Sequence, residues 1–292
     1  MVQRQVPRVS GTRRSWSNRW RSIAPRRLVG GGIALTVILL GLVGPYLSSA
    51  SPDAFVGSVF APPNGSAMLG TDYLGRDVLA RVLAGGQSVI ILGVLAAVVA
   101  IVSGTLVGLV AAQASTWLDE VLMRSSDIFL AFPQMILALL FVSVLGSHLW
   151  LIVLVVGLSA APQIARIVRS AALAILNQDY IAAARLQGES TLQVLIRHVI
   201  PNIVAPLRVQ AGLRVTYSVQ IIAGLSFLGF GVLPPQADWG LMIGENRLGL
   251  TQNPWSVLVP VFLIAALTVG LSLLSEGGSR KVSARLEATE TS

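Results

Sequence analysis

Cysteine is absent from this sequence of 292 residues, and charge is scarce. The lack of cysteine excludes disulfide bonds, thiolate catalysis and cysteine-ligated metal sites. Only 12% of the residues are charged, about half the share usual in a soluble domain, whereas 54% are hydrophobic. The mean hydropathy is +0.75. A chain of this composition is expected to be an integral membrane protein.

Sequence patterns for catalysis are also missing. There is no GxxxxGK[ST] phosphate-binding loop and no HExxH zinc motif. The segment around Ser226, GLSFLG, has one residue too many for the GxSxG turn that carries a nucleophilic serine. We therefore expect no catalytic residue, no metal site and no cofactor bound by this chain. An intramembrane hydrolase stays open as an alternative.

Long uncharged runs alternate with polar segments along the chain. A bilayer core of about 30 Å requires roughly 20 apolar residues of helix at about 1.5 Å per residue. One run is too long for a single helix, and Gly146-Ser147-His148 is expected to fold it into a tight hairpin. The sequence predicts six transmembrane helices, at about 28–49, 87–112, 127–146, 149–168, 205–231 and 255–276.

Positive charge sets the expected orientation. Residues 1–27 form a basic tail with eight arginines and no acid, and such flanks stay in the cytoplasm. Six crossings would return the tail 277–292 to the same side, leave 50–86 outside and place 166–201 inside. The net charge of +8 then reflects topology and anionic lipid rather than nucleic acid. Cleavage of the first helix as a signal peptide, after the small residues 48–50, is an alternative.

Two short helices are expected in the cytosolic segment 179–200. Asp179 can cap a first helix that begins at Tyr180, and Gly188 is expected to end it. Three consecutive alanines, 182–184, give this helix a face of small side chains. Such a face can enter a groove on a partner closely.

A capping-box spacing marks the second helix. Ser190 is followed three residues later by Gln193, so a helix is expected from about Thr191 to Val199, with Pro201 stopping it. Apolar residues recur at helical spacing and predict a face that anchors the helix to its own subunit. The predicted face consists of Leu192, Leu195, Ile196 and Val199. From spacing alone, a mere interfacial connector is an equally good interpretation.

The segment IAAARLQGESTLQVLIRHVIPN resembles the EAA loop of bacterial ABC-importer permeases, in the dipeptide, oligopeptide and nickel branch. Members of that family have Glu-Ala-Ala, three residues, Gly, and later an apolar run ending in Pro. Ala182 replaces the usual glutamate here, so docking would depend more on shape and on neighbours such as Arg185. The resemblance implies contact with an ATPase for Asp179, Tyr180, Ala182, Ala183, Ala184, Arg185, Gly188 and Pro201.

Two further segments are similar to the C-type permease subunit of the same branch. They are LGTDYLGRD, which starts at Leu69, and SFLGFG with the downstream PP and WG pairs, which starts at Ser226. Asp77 and Arg81 are expected on one side of a separate short helix on the outer surface, and Trp239 in the headgroup region. The resemblance implies that this outer surface receives a solute-binding protein. The residues concerned are Gly70, Asp72, Gly75, Arg76, Asp77, Pro234, Pro235 and Trp239.

Polar side chains inside the predicted fifth helix indicate a substrate path. Gln210 and Arg214 lie four residues apart on one face, and an arginine within a span usually faces protein or water. Arg214 could attract a peptide carboxylate or pair with Asp127 at the start of the third helix. Snorkelling to the inner interface is the alternative, above all for Arg208.

Together these likenesses imply a fold and a set of partners. The expected fold is an all-α integral membrane protein of six transmembrane helices, the type-1 ABC importer permease fold, with both termini in the cytoplasm and a core at 87–276. The resemblance implies a second permease subunit, two ATP-binding subunits that hold ATP and magnesium, a solute-binding protein, and a place in the bacterial cytoplasmic membrane. The expected cargo is short peptides. Nickel or another small solute is an alternative cargo, and a secondary transporter is an alternative class.

Overall fold

The computed structural model describes residues 16–48 and 50–290, with side chains within 26–48 and 50–275. Apart from two isolated β-bridges, the regular structure of this part is helical, as the sequence predicts. A π turn, Leu195–Val199, follows the seventh helix, and a 3-10 turn, Arg247–Gly249, follows the ninth. The helices are α1 (Trp16–Leu47), α2 (Val78–Gln113), α3 (Thr116–Ala131), α4 (Gln134–Leu145), α5 (Leu149–Leu176), α6 (Asp179–Leu186), α7 (Thr191–Val194), α8 (Ile200–Phe227), α9 (Trp239–Asn246) and α10 (Trp255–Glu290).

Four helices of the described chain are long and apolar enough to cross a membrane. They are Arg26–Leu47 of α1, then α2 and α5, and Trp255–Ser275 of α10. The pair α3 and α4 qualifies as a fifth span if its two halves are counted together. Helix α8 has the length, with 28 residues, but its arginines and amides lower its hydropathy. The structure therefore contains four or five candidate spans.

The third predicted helix, 127–146, is wrong as a single straight element. The chain forms α3 and α4 instead, with an angle of 88° between them. Pro133 is the N-cap of α4, and Phe132 before it is extended, because a proline disfavours helical geometry in the residue it follows. The predicted hairpin after α4 is confirmed, since Gly146 takes a φ of +98° between α4 and α5.

The separate short helix predicted within 50–86 is also wrong. Residues from Val78 onward are the first turns of α2, whose N-cap is Asp77. The Asp77 carboxylate accepts a hydrogen bond from the backbone N–H of Leu79 at 3.0 Å, which satisfies a donor at the helix start. No helix breaker follows, so the helix runs unbroken to Gln113.

Both terminal helices extend beyond their predicted bounds. Helix α1 already begins at Trp16, within the predicted tail 1–27, while the residues before 16 lie outside the described chain. Helix α10 continues to Glu290, through most of the predicted tail 277–292. The alanine, leucine, lysine, arginine and glutamate residues there have good helix propensity. Charge marks where the apolar run ends, not where the helix ends.

The helix α2 lies at the centre of the fold, against α5, α8 and α1. Gly104 and Gly108 form its contact with α5. A Cβ atom on Gly104 would lie 2.5 Å from the Cβ of Ile164 and 2.6 Å from the carbonyl oxygen of Ala161. Within a bilayer there is no hydrophobic driving force between helices, and small residues allow the close approach on which van der Waals packing depends. These glycines therefore set the spacing of the α2–α5 pair.

We expect Gly104→Ala to destabilise the protein by about 2 kcal/mol, because the added methyl group meets the α5 backbone and overpacks the contact. The matched control is Gly32→Ala in α1, where a Cβ atom would meet nothing within 4 Å and helix propensity would improve by about 0.5–1 kcal/mol. Thermal unfolding of the purified protein in detergent measures both. Equal unfolding temperatures for the two variants would contradict the assignment.

Candidate functional site

The segment 179–200, here called the inner knob, contains α6, a glycine turn, α7 and the π turn. The N-cap of α6 is Gln178 rather than Asp179, and its side chain makes no cap hydrogen bond. Asp179 instead occupies the first turn, where a carboxylate favours the positive end of the helix dipole. Gly188 follows the helix with a φ of +91°, so the predicted glycine ending is confirmed.

The predicted capping box at the start of α7 is confirmed. The backbone N–H of Ser190 donates to Oε1 of Gln193 at 2.7 Å, and the backbone N–H of Gln193 donates to Oγ of Ser190 at 3.4 Å. Both helix-start donors are therefore satisfied by side chains. This local signal fixes the direction in which α7 leaves the glycine turn.

Pro201 does not stop the second helix, contrary to the prediction. The backbone N–H of Ile200 bonds to the carbonyl of Leu195, five residues back, and α8 continues directly from this π turn. The wider turn accommodates a proline that cannot donate a backbone hydrogen bond. The inner knob is thus joined to α8 without a loop.

The apolar anchoring face of the inner knob differs from the predicted one. Ile181, Val194 and Val199 are buried against the inner ends of α2 and α5. Leu192 and Ile196, which were assigned to the anchor, are exposed. The π turn adds a residue to one turn of helix, which rotates the register away from a 3.6-residue pattern. The exposed apolar side chains of the knob are Tyr180, Leu186, Leu192 and Ile196.

Glu189 holds the two halves of the inner knob together. Its carboxylate accepts from Nη1 of Arg197 at 3.2 Å and lies 3.0 Å from Nε2 of His198. The His198 ring meets the Tyr180 ring edge-on, with 5.9 Å between centroids. Partial burial opposes the charge, but the bonds from His198 and Arg197 hold the pKa of Glu189 below its ordinary value.

Two of the three alanines of the inner knob are exposed. Ala182 and Ala183 are exposed and Ala184 is half-buried. Arg185 is exposed and lines a polar cavity of about 520 Å³ between the knob and the inner ends of α2 and α5. Small side chains on the outer face of α6 allow a partner's backbone to approach closely.

On the opposite side of the fold, four charged side chains form a buried cluster, here called the outer lock. It consists of Asp72, Arg76, Arg81 and Glu245. Nε of Arg76 lies 2.7 Å from Oδ2 of Asp72, and Nη2 of Arg81 lies 3.3 Å from Oε2 of Glu245. Nε of Arg81 is 3.4 Å from Asp72. Half-exposed Asp53 lies 3.6 Å from Nη1 of Arg81 at the edge of the cluster. The cluster ties the loop before α2 to α9.

Tyr73 and Glu245 extend the outer lock through a hydrogen bond. The Tyr73 hydroxyl donates to Oε1 of Glu245 at 2.8 Å. Burial raises the pKa of Glu245 above its usual value, although the bond from Tyr73 and the charges of Arg81 and Arg76 oppose this. Burial, and then the bond to Glu245, raise the pKa of Tyr73.

Two glycines shape the loop that carries the outer lock. Gly70 and Gly75 have φ of +72° and +83°. A Cβ atom on either would lie within 2.3 Å of a backbone oxygen, that of Ala61 or Gly57. Only glycine fits both the backbone angle and the space. The motif residues Gly70, Asp72, Gly75, Arg76 and Asp77 are therefore buried scaffold, brought together by the loop.

Trp239 is enclosed by protein, so its ring does not contact lipid headgroups as predicted. Its ring is fully buried, and Nε1 donates to the carbonyl oxygen of Val82 at 2.8 Å. The ring fits because Gly86 has no side chain; a Cβ atom there would lie 2.5 Å from the ring. Pro234 and Pro235, joined by a cis peptide, are the exposed part of this segment.

Asp238 fixes the start of α9. Its carboxylate accepts from the backbone N–H of Leu241 at 3.1 Å and from the Ser88 hydroxyl at 2.6 Å. Burial raises the pKa of Asp238, and these hydrogen bonds act against the rise. The contact with Ser88 joins α9 to α2.

A third polar group lies midway along α5 and α8. Nη2 of Arg214 donates to Oε1 of Gln163 at 2.7 Å, and the guanidinium lies 5.3 Å from the Tyr217 ring centroid. Arg214 is 4% exposed. Gln210 is half-buried one turn earlier on α8.

The predicted pairing of Arg214 with Asp127 is wrong. Asp127 on α3 is hydrogen-bonded to Arg166 on α5, because α3 packs beside α5. Arg208, nearer the start of α8, is exposed.

Several polar residues with specific partners were missed in the sequence. An amide in an otherwise apolar stretch is the signal that could have found Gln163, since burial of such a group requires a partner. The residues are Gln163, Asp119 with its partner Arg169, Glu189, Asp238 and Glu245.

The described chain is helical, with four or five candidate membrane spans, the inner knob at one end and the outer lock at the other. Residues 104–286 match the family described as binding-protein-dependent transport system inner membrane component. The chain belongs to this family. It is therefore a permease component of a transporter and is not itself the catalytic subunit.

Relatives are similar over most of their length. The di/tripeptide transport system permease protein DppC of Pseudomonas aeruginosa is 33% identical over 267 residues, 88% of each chain. The dipeptide transport system permease protein DppC of Alkalihalophilus pseudofirmus is 31% identical, over 90% of this chain and 87% of its own. The glutathione transport system permease protein GsiD of Pectobacterium atrosepticum is 30% identical, over 93% and 92%.

Proposed function

We propose that this chain is one of two permease subunits of an ATP-driven importer of short peptides. The observation that carries the proposal is similarity over most of the chain to permeases named for dipeptides, di/tripeptides and glutathione. Glutathione is itself a tripeptide derivative, so these names share one chemical class. Nickel or another small solute is the alternative cargo, and no observation favours it.

The proposed topology has six spans. Five are the single helices α1, α2, α5, α8 and α10, and the sixth is the bent pair α3 and α4. An even number of crossings places both tails on the cytoplasmic side, where the basic residues of 1–27 belong. Broken helices occur within membranes where they are buried in protein or line a cavity. The bend at Pro133 fits this description, since a cavity of about 560 Å³ lies between α3, α4, α2 and α5.

In this topology the inner knob is the contact with the ATP-binding subunits. Its exposed apolar side chains would otherwise face water, and Ala182 and Ala183 allow close approach. The sequence has no phosphate-binding loop of its own, so ATP and magnesium belong to two partner subunits. Because α7 is continuous with α8, closure of those subunits would tilt α8 and switch access to the path.

The outer layer would receive the solute-binding protein. Pro234, Pro235 and Leu233 are exposed beside the outer lock. The lock itself is buried and holds this surface in one shape, which lowers the entropic cost of binding a partner.

Uptake by the reconstituted transporter tests this function. The chain is purified with its second permease and ATP-binding subunits, placed in proteoliposomes, and given the binding protein with labelled dipeptide or tripeptide. ATP-dependent peptide uptake supports the proposal, whereas uptake driven by an ion gradient supports a secondary transporter. Uptake of nickel but not of peptide supports the alternative cargo.

A labelling experiment tests the orientation. Because the chain has no cysteine, Gln187→Cys in the inner knob and Leu248→Cys beside the outer lock each introduce its sole thiol. A membrane-impermeant reagent added to intact cells should modify position 248 and not 187. Modification at 187 would overturn the proposed topology and the coupling role of the knob.

A further inference from the structure

We infer that Arg214, Gln163 and Tyr217 form a binding station for the C-terminal carboxylate of a peptide in transit. The inference rests on the proposed function and adds a specific site to it. The three residues are here called the mid-helix triad. Its parts are the guanidinium held by Gln163 at 2.7 Å and the adjacent Tyr217 ring.

The burial of Arg214, rather than its distance from the helix ends, argues against snorkelling. Arg166, three residues beyond Gln163 on α5, pairs with Asp127, so the triad lies toward the inner end of the apolar run. Arg214 is nevertheless 4% exposed, and its guanidinium is held by Gln163 instead of extending to the interface. A buried charge held in this way requires a protein partner or a water-filled path.

Exposed side chains distinguish the face of the triad from the lipid-facing surface. Gln163, Tyr217 and Gln220 are exposed on α5 and α8. The exposed face of α2 is, by contrast, aliphatic from end to end: Ile91, Val94, Leu95, Val98, Val102, Leu106 and Val110. Amide side chains are costly against lipid tails. The polar face is thus the one that is turned toward the path shared with the second permease.

The triad lacks a counter-ion within the described chain. No carboxylate there forms a salt bridge with Arg214, whereas Asp127 is engaged by Arg166. Nε of Arg214 is buried without a hydrogen-bond partner. The Gln163 amide group uses its oxygen for Arg214, and its nitrogen has no described partner. Arg214 and Gln163 thus bring N–H donors together at a place where no acidic side chain neutralises the arginine. Such a group of donors is suited to binding a carboxylate.

A terminal carboxylate is the group that unmodified peptides share whatever their side chains. A site that binds this group has similar affinity for peptides with different side chains. Such a site fits a translocation path in which a separate binding protein selects the peptide. The competing occupant is an acidic residue of the second permease, which would neutralise Arg214 permanently.

Transport by the reconstituted complex tests the inference. Arg214→Gln is expected to lower peptide uptake by about tenfold or more, the usual scale for loss of a charged hydrogen bond, while binding-protein-stimulated ATP hydrolysis and assembly persist. Arg214→Lys should recover part of the rate. The matched control is Arg208→Gln on the same helix, whose exposed side chain should not matter.

Direct occupancy gives a second readout. In a complex without binding protein, dialanine should slow thiol modification of Gln220→Cys, which is exposed three residues beyond Tyr217 on α8, whereas the C-terminal amide of dialanine should not. Adding Arg214→Gln should remove the protection. The inference is overturned if the Arg214 variants take up peptide as fast as an active wild-type complex. It is also overturned if dialanine gives no protection from thiol modification, or if dialanine and its amide protect equally. Loss of the second permease on purification of Arg214→Gln also overturns it, in favour of the competing occupant. If the wild-type complex shows no ATP-driven uptake, the proposed function itself has failed.

Discussion

Arg81→Leu is expected to destabilise the protein by about 3 kcal/mol or more, the usual cost of removing one partner from a buried ion cluster. Arg81 is fully buried and faces Asp72 at 3.4 Å and Glu245 at 3.3 Å. Its loss leaves two buried acids with Arg76 alone. The loop before α2 and α9 should then separate, which thermal unfolding in detergent and proteolysis of that loop would detect.

Two controls distinguish charge imbalance from lost packing. Arg124→Ala removes an arginine that is 77% exposed and paired with Glu120, so it should change stability by about 0.5 kcal/mol or less. In Arg81→Leu combined with Glu245→Gln, one positive and one negative charge are removed and Tyr73 keeps an acceptor. This double variant should recover much of the loss. An effect of Arg81→Leu no larger than that of Arg124→Ala would show that the cluster does not hold the outer layer.

Local signals in the sequence predicted local structure well. Ser190 and Gln193 form the capping box, and Gly146 and Gly188 take positive φ where a chain reversal and a helix ending were predicted. These signals depend on atoms within a few residues of each other, so a single sequence contains all the information needed.

Contacts between distant segments were predicted poorly. Trp239 is buried because Gly86, far away in sequence, leaves room for its ring. Asp127 pairs with Arg166 rather than Arg214 because helix packing decides which charges meet. The hydrophobic periodicity of a single segment gives no information about such contacts between distant segments. The sequence indicated that such polar residues needed partners but not which partners they had.

The inner knob shows both outcomes within one segment. Its glycine turn and capping box were predicted from local signals, but of the predicted anchoring face only Val199 and, in part, Leu195 are buried, because that face assumed uninterrupted α-helical spacing. The π turn at Leu195–Val199 shifts the register, so Val194 is buried and Ile196 is exposed. Pro201 signalled an irregularity there and was interpreted as an ending. This correction matters for the proposed function, because the knob is continuous with α8.

Leu186→Asp is expected to weaken association with the ATP-binding subunits by about tenfold or more. The Leu186 side chain, at the end of α6, is 90% exposed, so its replacement should leave the fold intact. An aspartate would carry an unpaired charge into the interface, and truncation of a central contact residue alone can cost about 2 kcal/mol. Co-purification of the ATP-binding subunits with the permease pair, over a range of subunit concentrations, measures the change.

Leu248→Asp is the matched control, because Leu248 is also a leucine, is 83% exposed, and lies on the opposite end of the fold beside the outer lock. It should retain full association with the ATP-binding subunits. If the inner knob is the contact with the ATP-binding subunits, as proposed, peptide uptake should fall in step with association for Leu186→Asp. Equal recovery of the ATP-binding subunits with both variants would mean that they bind elsewhere, and that the continuous helix from α7 to α8 transmits no force from them.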